Sequence, residues 1–310
     1  MKTMLVFVCV LISLKTSSQW IQVNNGIGDN TIINAMTQSG NNIFAGTLFK
    51  GVYVSTNYGT SWSKILGLRD SSAYALGSNG NNIFAGYAFL NNGTTGVYRS
   101  TNAGVTWALV GLNDKSIISL VVYGDTLFAG TNGYNGVYKS TSNGDNWTQT
   151  SMSKIDVRSF TKIGNIIFAG TGKDSGVYKS TNNGVNWTHT TLNYRTIISL
   201  VSNGNYIFAG ASDNSGFLYR SSDSGITWDS TFINNSSVNT LSTNGMFIFA
   251  GTTKYGVYVS SNKDTNWIQR NDGLNVKPTI TSFTVLNDIL FAGTYNGVYK
   301  RILCSGPFKN

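Results

Sequence analysis

Glutamate is absent from this sequence: among 310 residues the 13 acidic side chains are all Asp, set against 22 Lys and Arg. Any mechanism that relies on a Glu to activate a nucleophile is thereby excluded. Histidine occurs once, as His189, and no second imidazole or nearby thiol accompanies it, so the sequence offers neither a metal site nor a Ser-His-Asp arrangement and implies no metal or cofactor. Cysteine occurs twice, as Cys9 and Cys304. Long apolar runs are also missing except for residues 4–14, which are too few to span a bilayer. With Met1-Lys2 before that run and Lys15-Thr16-Ser17-Ser18 after it, residues 1–18 read as a secretory signal peptide cleaved after Ser18. Val8 before Cys9 argues against a lipid-anchor site. The exported chain then keeps a single thiol, in a tail of residues 303–310, and can form no internal disulfide. No transmembrane span remains after cleavage, and the expected location is secreted, periplasmic or cell-surface.

What the sequence does contain is one unit reused. Phe-Ala-Gly recurs with its Phe at 44, 84, 128, 168, 208, 249 and 291, a period of 40 to 44 residues. Gly-Val-Tyr follows in six copies and is altered to Gly-Phe-Leu-Tyr at 216–219 in the fifth. Between the punctuating Asn, Gly, Ser and Asp lie apolar stretches of four to six residues rich in Ile, Val, Phe, Tyr and Thr, which suit strands and show no helical period. In the fourth repeat the strands are placed at 157–160, 166–170, 177–180 and 186–189, with Gly164-Asn165 at a hairpin turn. A four-stranded sheet of this kind cannot bury its own faces, and seven stacked radially close on themselves. The predicted fold is therefore all-β: a single seven-bladed β-propeller of four-stranded antiparallel blades over residues 19–302. Closure is predicted from the ends, where an orphan fourth strand at 20–23 precedes the first repeat and the last repeat stops after three strands. The N-terminal strand should join the C-terminal blade. Each blade then holds one Trp, at 20, 62, 107, 147, 187, 228 and 267, expected to be largely buried.

The formal charge of +9 becomes +7 once Lys2 and Lys15 leave with the signal. Arg99, Lys139, Lys179, Arg220 and Lys300 each follow the Tyr of a third strand, which spreads the basic charge around the ring. That pattern predicts a solvated rim rather than a nucleic-acid surface. A monomer is expected.

Ser55-Thr56-Asn57-Tyr58-Gly59-Thr60-Ser61-Trp62 resembles the Asp-box, or BNR repeat, whose pattern is Ser-x-Asp-x-Gly-x-Thr-Trp. Further copies run from Ser100 to Trp107, Ser140 to Trp147, Ser180 to Trp187, Ser221 to Trp228 and Ser260 to Trp267. Asp223 keeps the acid; Asn57, Asn102, Asn182 and Asn262 replace it, and Ser142 stands in the third copy. An Asx side chain can close the turn on nearby backbone N–H groups, whether charged or not, so each box reads as structural. The resemblance extends over nearly all of 19–302 and takes in sialidases, sortilin-type receptors, xyloglucanase-type glycosidases and photosystem II assembly factors. It implies a propeller. It does not carry over a sialidase site, because that family's nucleophilic Tyr is assisted by Glu and its propeller has six blades. Xyloglucanase-type enzymes use two Asp but resemble a pair of such propellers around a cleft.

In a propeller the loops from strand four to the next strand one, and from strand two to strand three, share one face, opposite the boxes. That face is predicted to carry Asp29, Arg69, Asp70, Asp114, Asp156, Tyr194, Arg195 and Asp272 from the first set, with Tyr134 and Lys173 among the second. Arg158 is the odd member of a column that otherwise holds Asn34, Tyr74, Ile118, Ile198, Asn239 and Thr281, and its expected place is the central channel. Aromatics mixed with Asp, Asn and Arg on rigidly held loops suit binding of a protein or glycan, and the expected function is an exported, non-catalytic binding propeller. The alternative is a sialidase-like or xyloglucanase-like glycoside hydrolase. It would need two of those Asp carboxylates roughly 5 to 9.5 Å apart in a concave pocket.

Overall fold

In the computed structural model, residues 19–303 are described apart from 69, 89–94, 213–216, 234–235, 262–265 and 276–277. Residues 1–18, read from sequence as a signal peptide, and Cys304 therefore lie outside the described residues. The chain forms seven antiparallel four-stranded sheets in radial sequence. Blade one is Ile33–Ser39, Asn42–Thr47, Val52–Ser55 and Ser63–Lys64, and blades two to six repeat this order from the axis outward. Blade seven combines Ile280–Leu286, Ile289–Thr294 and Gly297–Ile302 with the N-terminal strand Ile21–Gln22, where Ile21 pairs with Lys300 and Gln22 with Tyr299. Among the described residues there is no helix, hence none long and apolar enough to cross a membrane.

Phe-Ala-Gly repeats because it is an inter-blade joint. All seven Phe of the motif are buried. Each Phe from Phe44 to Phe168, and Phe291, lies under the box glycine of the following blade: a Cβ on Gly184 would meet Phe128 Cε1 at 2.1 Å, and one on Gly59 would meet Phe291 Cε1 at 2.9 Å. The Gly of the motif faces the first residue of the next blade's innermost strand, so that a Cβ on Gly86 would stand 2.5 Å from Ile117 Cγ2 and one on Gly293 2.7 Å from Ile33 Cγ2. A side chain at either position would wedge neighbouring blades apart.

The boxes close as their chemistry predicts. Ser55 Oγ accepts the Gly59 N–H at 2.8 Å, and Asn57 Oδ1 accepts the Ser61 N–H at 2.9 Å. Ser100 with Asn102, Ser180 with Asn182, and Ser221 with Asp223 repeat the arrangement, and in blade three the Ser142 hydroxyl accepts the Asn146 N–H at 3.0 Å. Asn262 lies outside the described residues.

Two expectations are corrected. Only Trp20 and Trp62 are buried, each 3% exposed; Trp107, Trp147, Trp187, Trp228 and Trp267, each set beside an outermost strand of two to four residues, are half-buried. The basic residues after the strand-three Tyr are not a solvated rim either. Arg99 donates to Asn143 O at 2.6 Å, Lys139 to Asn183 O at 2.7 Å, Lys179 to Ser224 O at 3.3 Å and Lys300 to Tyr58 O at 2.9 Å. Each acceptor is the carbonyl of the positive-φ residue before the box glycine of the next blade. Four of the five cations thus staple consecutive blades, while Arg220 pairs with Asp229 of its own blade at 3.3 Å.

Candidate functional site

The site starts from a backbone irregularity. In every blade the pairing of strands one and two skips one residue, a β-bulge between Ile33 and Ala35, Ala73 and Ala75, Ile117 and Ser119, Val157 and Ser159, Ile197 and Ser199, Val238 and Thr240, and Ile280 and Ser282. A bulge turns its extra residue out of the alternation. The seven extra residues are Asn34, Tyr74, Ile118, Arg158, Ile198, Asn239 and Thr281, and all seven line one cavity of about 500 Å³ at the propeller axis. Arg158 thus occupies the central channel, as its column predicts. Six members of this ring are half-buried and Arg158 is exposed.

The loops around the channel on its loop face are tied down from within. Thr47, the last residue of the second strand in blade one, donates its hydroxyl to Gly51 O at 2.7 Å across the loop, and Thr131, Thr171, Thr252 and Thr294 do the same in blades three, four, six and seven. In blades two and five Tyr87 and Ala211 replace that Thr. Phe49, Tyr134, Tyr194 and Tyr295 stand on the loops with 51%, 51%, 77% and 57% of their surfaces exposed. Tyr134 is covered on one side by the Lys173 ammonium, 3.4 Å from the ring centroid and hydrogen-bonded to the phenol oxygen.

The carboxylates proposed from sequence fall into separate local settings. Asp29 accepts the Asn24 side-chain amide at 2.7 Å. Asp70 pairs with Lys64 at 2.5 Å, and Asp114 with Lys115 at 2.7 Å. That bond holds the Asp114 carboxyl below the usual carboxylate range. Asp156 is buried, 4% exposed, and its Oδ1 accepts the Tyr134 N–H at 3.0 Å, so it orders the strand-two to strand-three loop of blade three. The Asp272 side chain is exposed, and its backbone oxygen receives the Trp20 N–H at 2.8 Å. Tyr194 takes φ of 54°, and Arg195 beside it donates Nε to Tyr219 Oη at 2.8 Å. Arg69 lies outside the described residues.

Sequence reading did not foresee the loop-tying threonines, the Tyr134 and Lys173 pair, or the buried hydroxyls of Ser159 and Ser282, which border the cavity without a hydrogen-bond partner among the described residues. The threonine was legible as the residue after most Phe-Ala-Gly copies. The pairing of Tyr134 with Lys173 joins two blades and leaves no local signal.

The molecule is thus a seven-bladed β-propeller with an axial cavity lined by its bulge residues. The sequence matches no protein-family model and no curated protein. Solved propellers are similar in structure. YCF48 bound to a D1 peptide superposes with a TM-score of 0.74 at 14% identity, over 94% of this chain and 96% of that one. The GH74 xyloglucanase from Xanthomonas campestris gives 0.74 at 13% identity, over 92% of this chain but only 54% of the enzyme. The extracellular domain of BT4673 from B. thetaiotaomicron gives 0.72 at 17% identity, over 91% of this chain and 39% of that one.

Proposed function

We propose that this chain is an exported, non-catalytic propeller that binds a protein or glycan on its loop face. The observation that carries the reading is the contrast between the aromatics and the acids around the axial cavity. Phe49, Tyr134, Tyr194 and Tyr295 present open ring surface, whereas Asp29, Asp70, Asp114 and Asp156 each spend a carboxylate oxygen on a partner nearby. Exposed aromatic surface held on tied loops is a recognition surface. Carboxylates that hold amides and lysines are poorly placed to act as a general acid and base pair. The similarity to a peptide-bound propeller agrees with a polypeptide ligand, and the similarity to an extracellular domain agrees with export.

The test combines peptide and glycan arrays with a panel of chromogenic glycosides. Retention of one class of ligand without turnover, weakened about tenfold or more by Tyr194→Ala, is the expected result. Turnover abolished by Asp→Asn at position 70, 114 or 272 would replace the proposal with a glycosidase.

A further inference from the structure

The axial ring is chemically uneven. Ile118 and Ile198 flank Arg158 on the adjacent blades, and two of the polar members are already occupied. Asn239 donates Nδ2 to Ile280 O at 3.0 Å and accepts the Thr253 hydroxyl at 3.0 Å, while the Thr281 hydroxyl donates to Ile33 O. Arg158 makes no hydrogen bond or ion pair among the described residues. Its guanidinium rests over Gly172, where an added Cβ would stand 2.9 Å from Nε. In the other blades that position holds Leu48, Ala88, Asn132, Ser212, Thr253 and Tyr295. Only blade four combines a ring cation with a bare backbone to receive it. Asp156, the residue before this strand, lies nearby, its Cβ 3.4 Å from the same added Cβ at Gly172, but forms no ion pair with Arg158, and its Oδ1 accepts the Tyr134 N–H.

We infer that the axial cavity is a carboxylate-binding site in which Arg158 anchors the C-terminal or side-chain carboxylate of a bound polypeptide. This rests on the loop-face binding reading above and names the chemistry it would select. A planar guanidinium with free donors forms paired, charge-assisted bonds to a carboxylate. The isoleucines on either side suit an apolar side chain next to that carboxylate. Asn239 and Thr281 are spent on neighbouring protein groups, while Asn34 Nδ2 and the Ser159 and Ser282 hydroxyls at the cavity wall have no partner among the described residues and can meet polar atoms beside the carboxylate.

The experiment screens the full exported chain against a peptide library synthesised twice, with free C-terminal carboxylates and with C-terminal amides, and adds Glu→Gln versions of every binder. Oligogalacturonate serves as the acidic-glycan arm. Binders are expected to lose affinity about 10- to 100-fold when either the terminal carboxylate or one acidic side chain is neutralised. Arg158→Gln should abolish that difference and leave thermal unfolding unchanged, since the side chain is exposed. Gly172→Val, which occupies the place where the guanidinium rests, should weaken acid-bearing peptides while leaving binding to the amide forms as it was. Equal affinity of the acid, amide and Glu→Gln forms for the unaltered protein, with Tyr194→Ala still weakening all of them, would overturn the carboxylate site and leave loop-face binding standing. Arg158-dependent capture of oligogalacturonate without capture of peptides would overturn the polypeptide assignment. Capture of neither peptides nor glycans would remove both readings.

Discussion

Asp223 shows how little the box depends on charge and where the charge still matters. Its carboxyl is pulled down to about 2, first by the Thr227 hydroxyl and then by the Thr227 N–H, with Ser221 and Ile226 adding to the effect. A folded value below the unfolded one of about 3.9 means that stabilisation is present above pH 4 and is lost as pH falls through about 2. Asp223→Asn should keep the turn closed, as Asn182 does in blade four, and should remove that pH dependence. Melting temperatures from pH 6 down to pH 2 check this: the unaltered protein should lose ground to the variant between about pH 4 and 2, and parallel curves would contradict the assignment. The tryptophans divide by burial instead. Trp62 is 3% exposed and donates its indole N–H to Val23 O at 2.8 Å, so Trp62→Ala should cost about 3 to 5 kcal/mol. Half-buried Trp187, whose indole N–H donates to Gly184 O within its own box at 3.1 Å and whose ring meets Phe128 and Phe160, should cost about half as much. Denaturant unfolding of the two variants side by side gives the comparison.

At the scale of the blade, each repeat is built to hold the next. The Phe of Phe-Ala-Gly and the staple cation are cross-strand partners within a blade, Phe84 opposite Arg99 and Phe128 opposite Lys139, and both reach the box of the next blade. Arg99 shows this most fully, donating to Asn143 O at 2.6 Å and pairing with Asp145 at 2.8 Å. Its partial exposure discounts the ion pair, so Arg99→Met should cost about 1 kcal/mol, with most of the loss persisting in high salt because a carbonyl, and not a second charge, is the main acceptor. Loss confined to low salt would make the surface ion pair the dominant contact. Gly184→Ala should cost more, because the new Cβ would both oppose φ of +76° and strike Phe128 at 2.1 Å. The sequence displayed the strands, the blade number and the box turns because these depend on local pattern: alternation, Asx turns and glycine spacing. It displayed Arg158 as a channel residue because six counterparts defined the column. It misread the staple lysines, since a Lys beside a Tyr looks the same whether it meets water or a carbonyl one blade away. It gave no sign that Asp156 is buried, because burial there follows from the Tyr134 loop folding over it from another blade.

For the whole molecule the decisive junction is the closure. A propeller gains stability from each blade and each interface between neighbours, so an open ring loses an interface without losing a blade. Here the seam is fastened by the pairing of Ile21 with Lys300 and Gln22 with Tyr299, and by the Val23 N–H on Val298 O at 2.8 Å. Trp20 ties the same strand to blade six, through its N–H to Asp272 O at 2.8 Å and its indole to Arg270 O at 2.8 Å. Asn24 completes the seam, accepting the Val298 N–H at 2.8 Å and donating to Asn296 O at 3.0 Å. Asn24→Ala would strand one backbone donor in a half-buried place and should cost about 1 to 3 kcal/mol. Deletion of residues 19–23 should do far more. It removes buried Trp20 and Val23, the edge of the last sheet and the fixed distance between first and last blades, and so should broaden and lower thermal unfolding well beyond the Asn24 variant. Because the remaining chain keeps an open sheet edge at Gly297–Ile302, a synthetic peptide of residues 19–31 added in trans should dock there as a fourth strand and raise the melting temperature with peptide concentration. Unfolding of the truncated chain that matches the intact one would show that the seam contributes nothing to stability. Truncation damage that the peptide fails to repair at any concentration would show that it is covalent continuity from Gln22 into blade one, rather than strand pairing at the seam, that holds the ring.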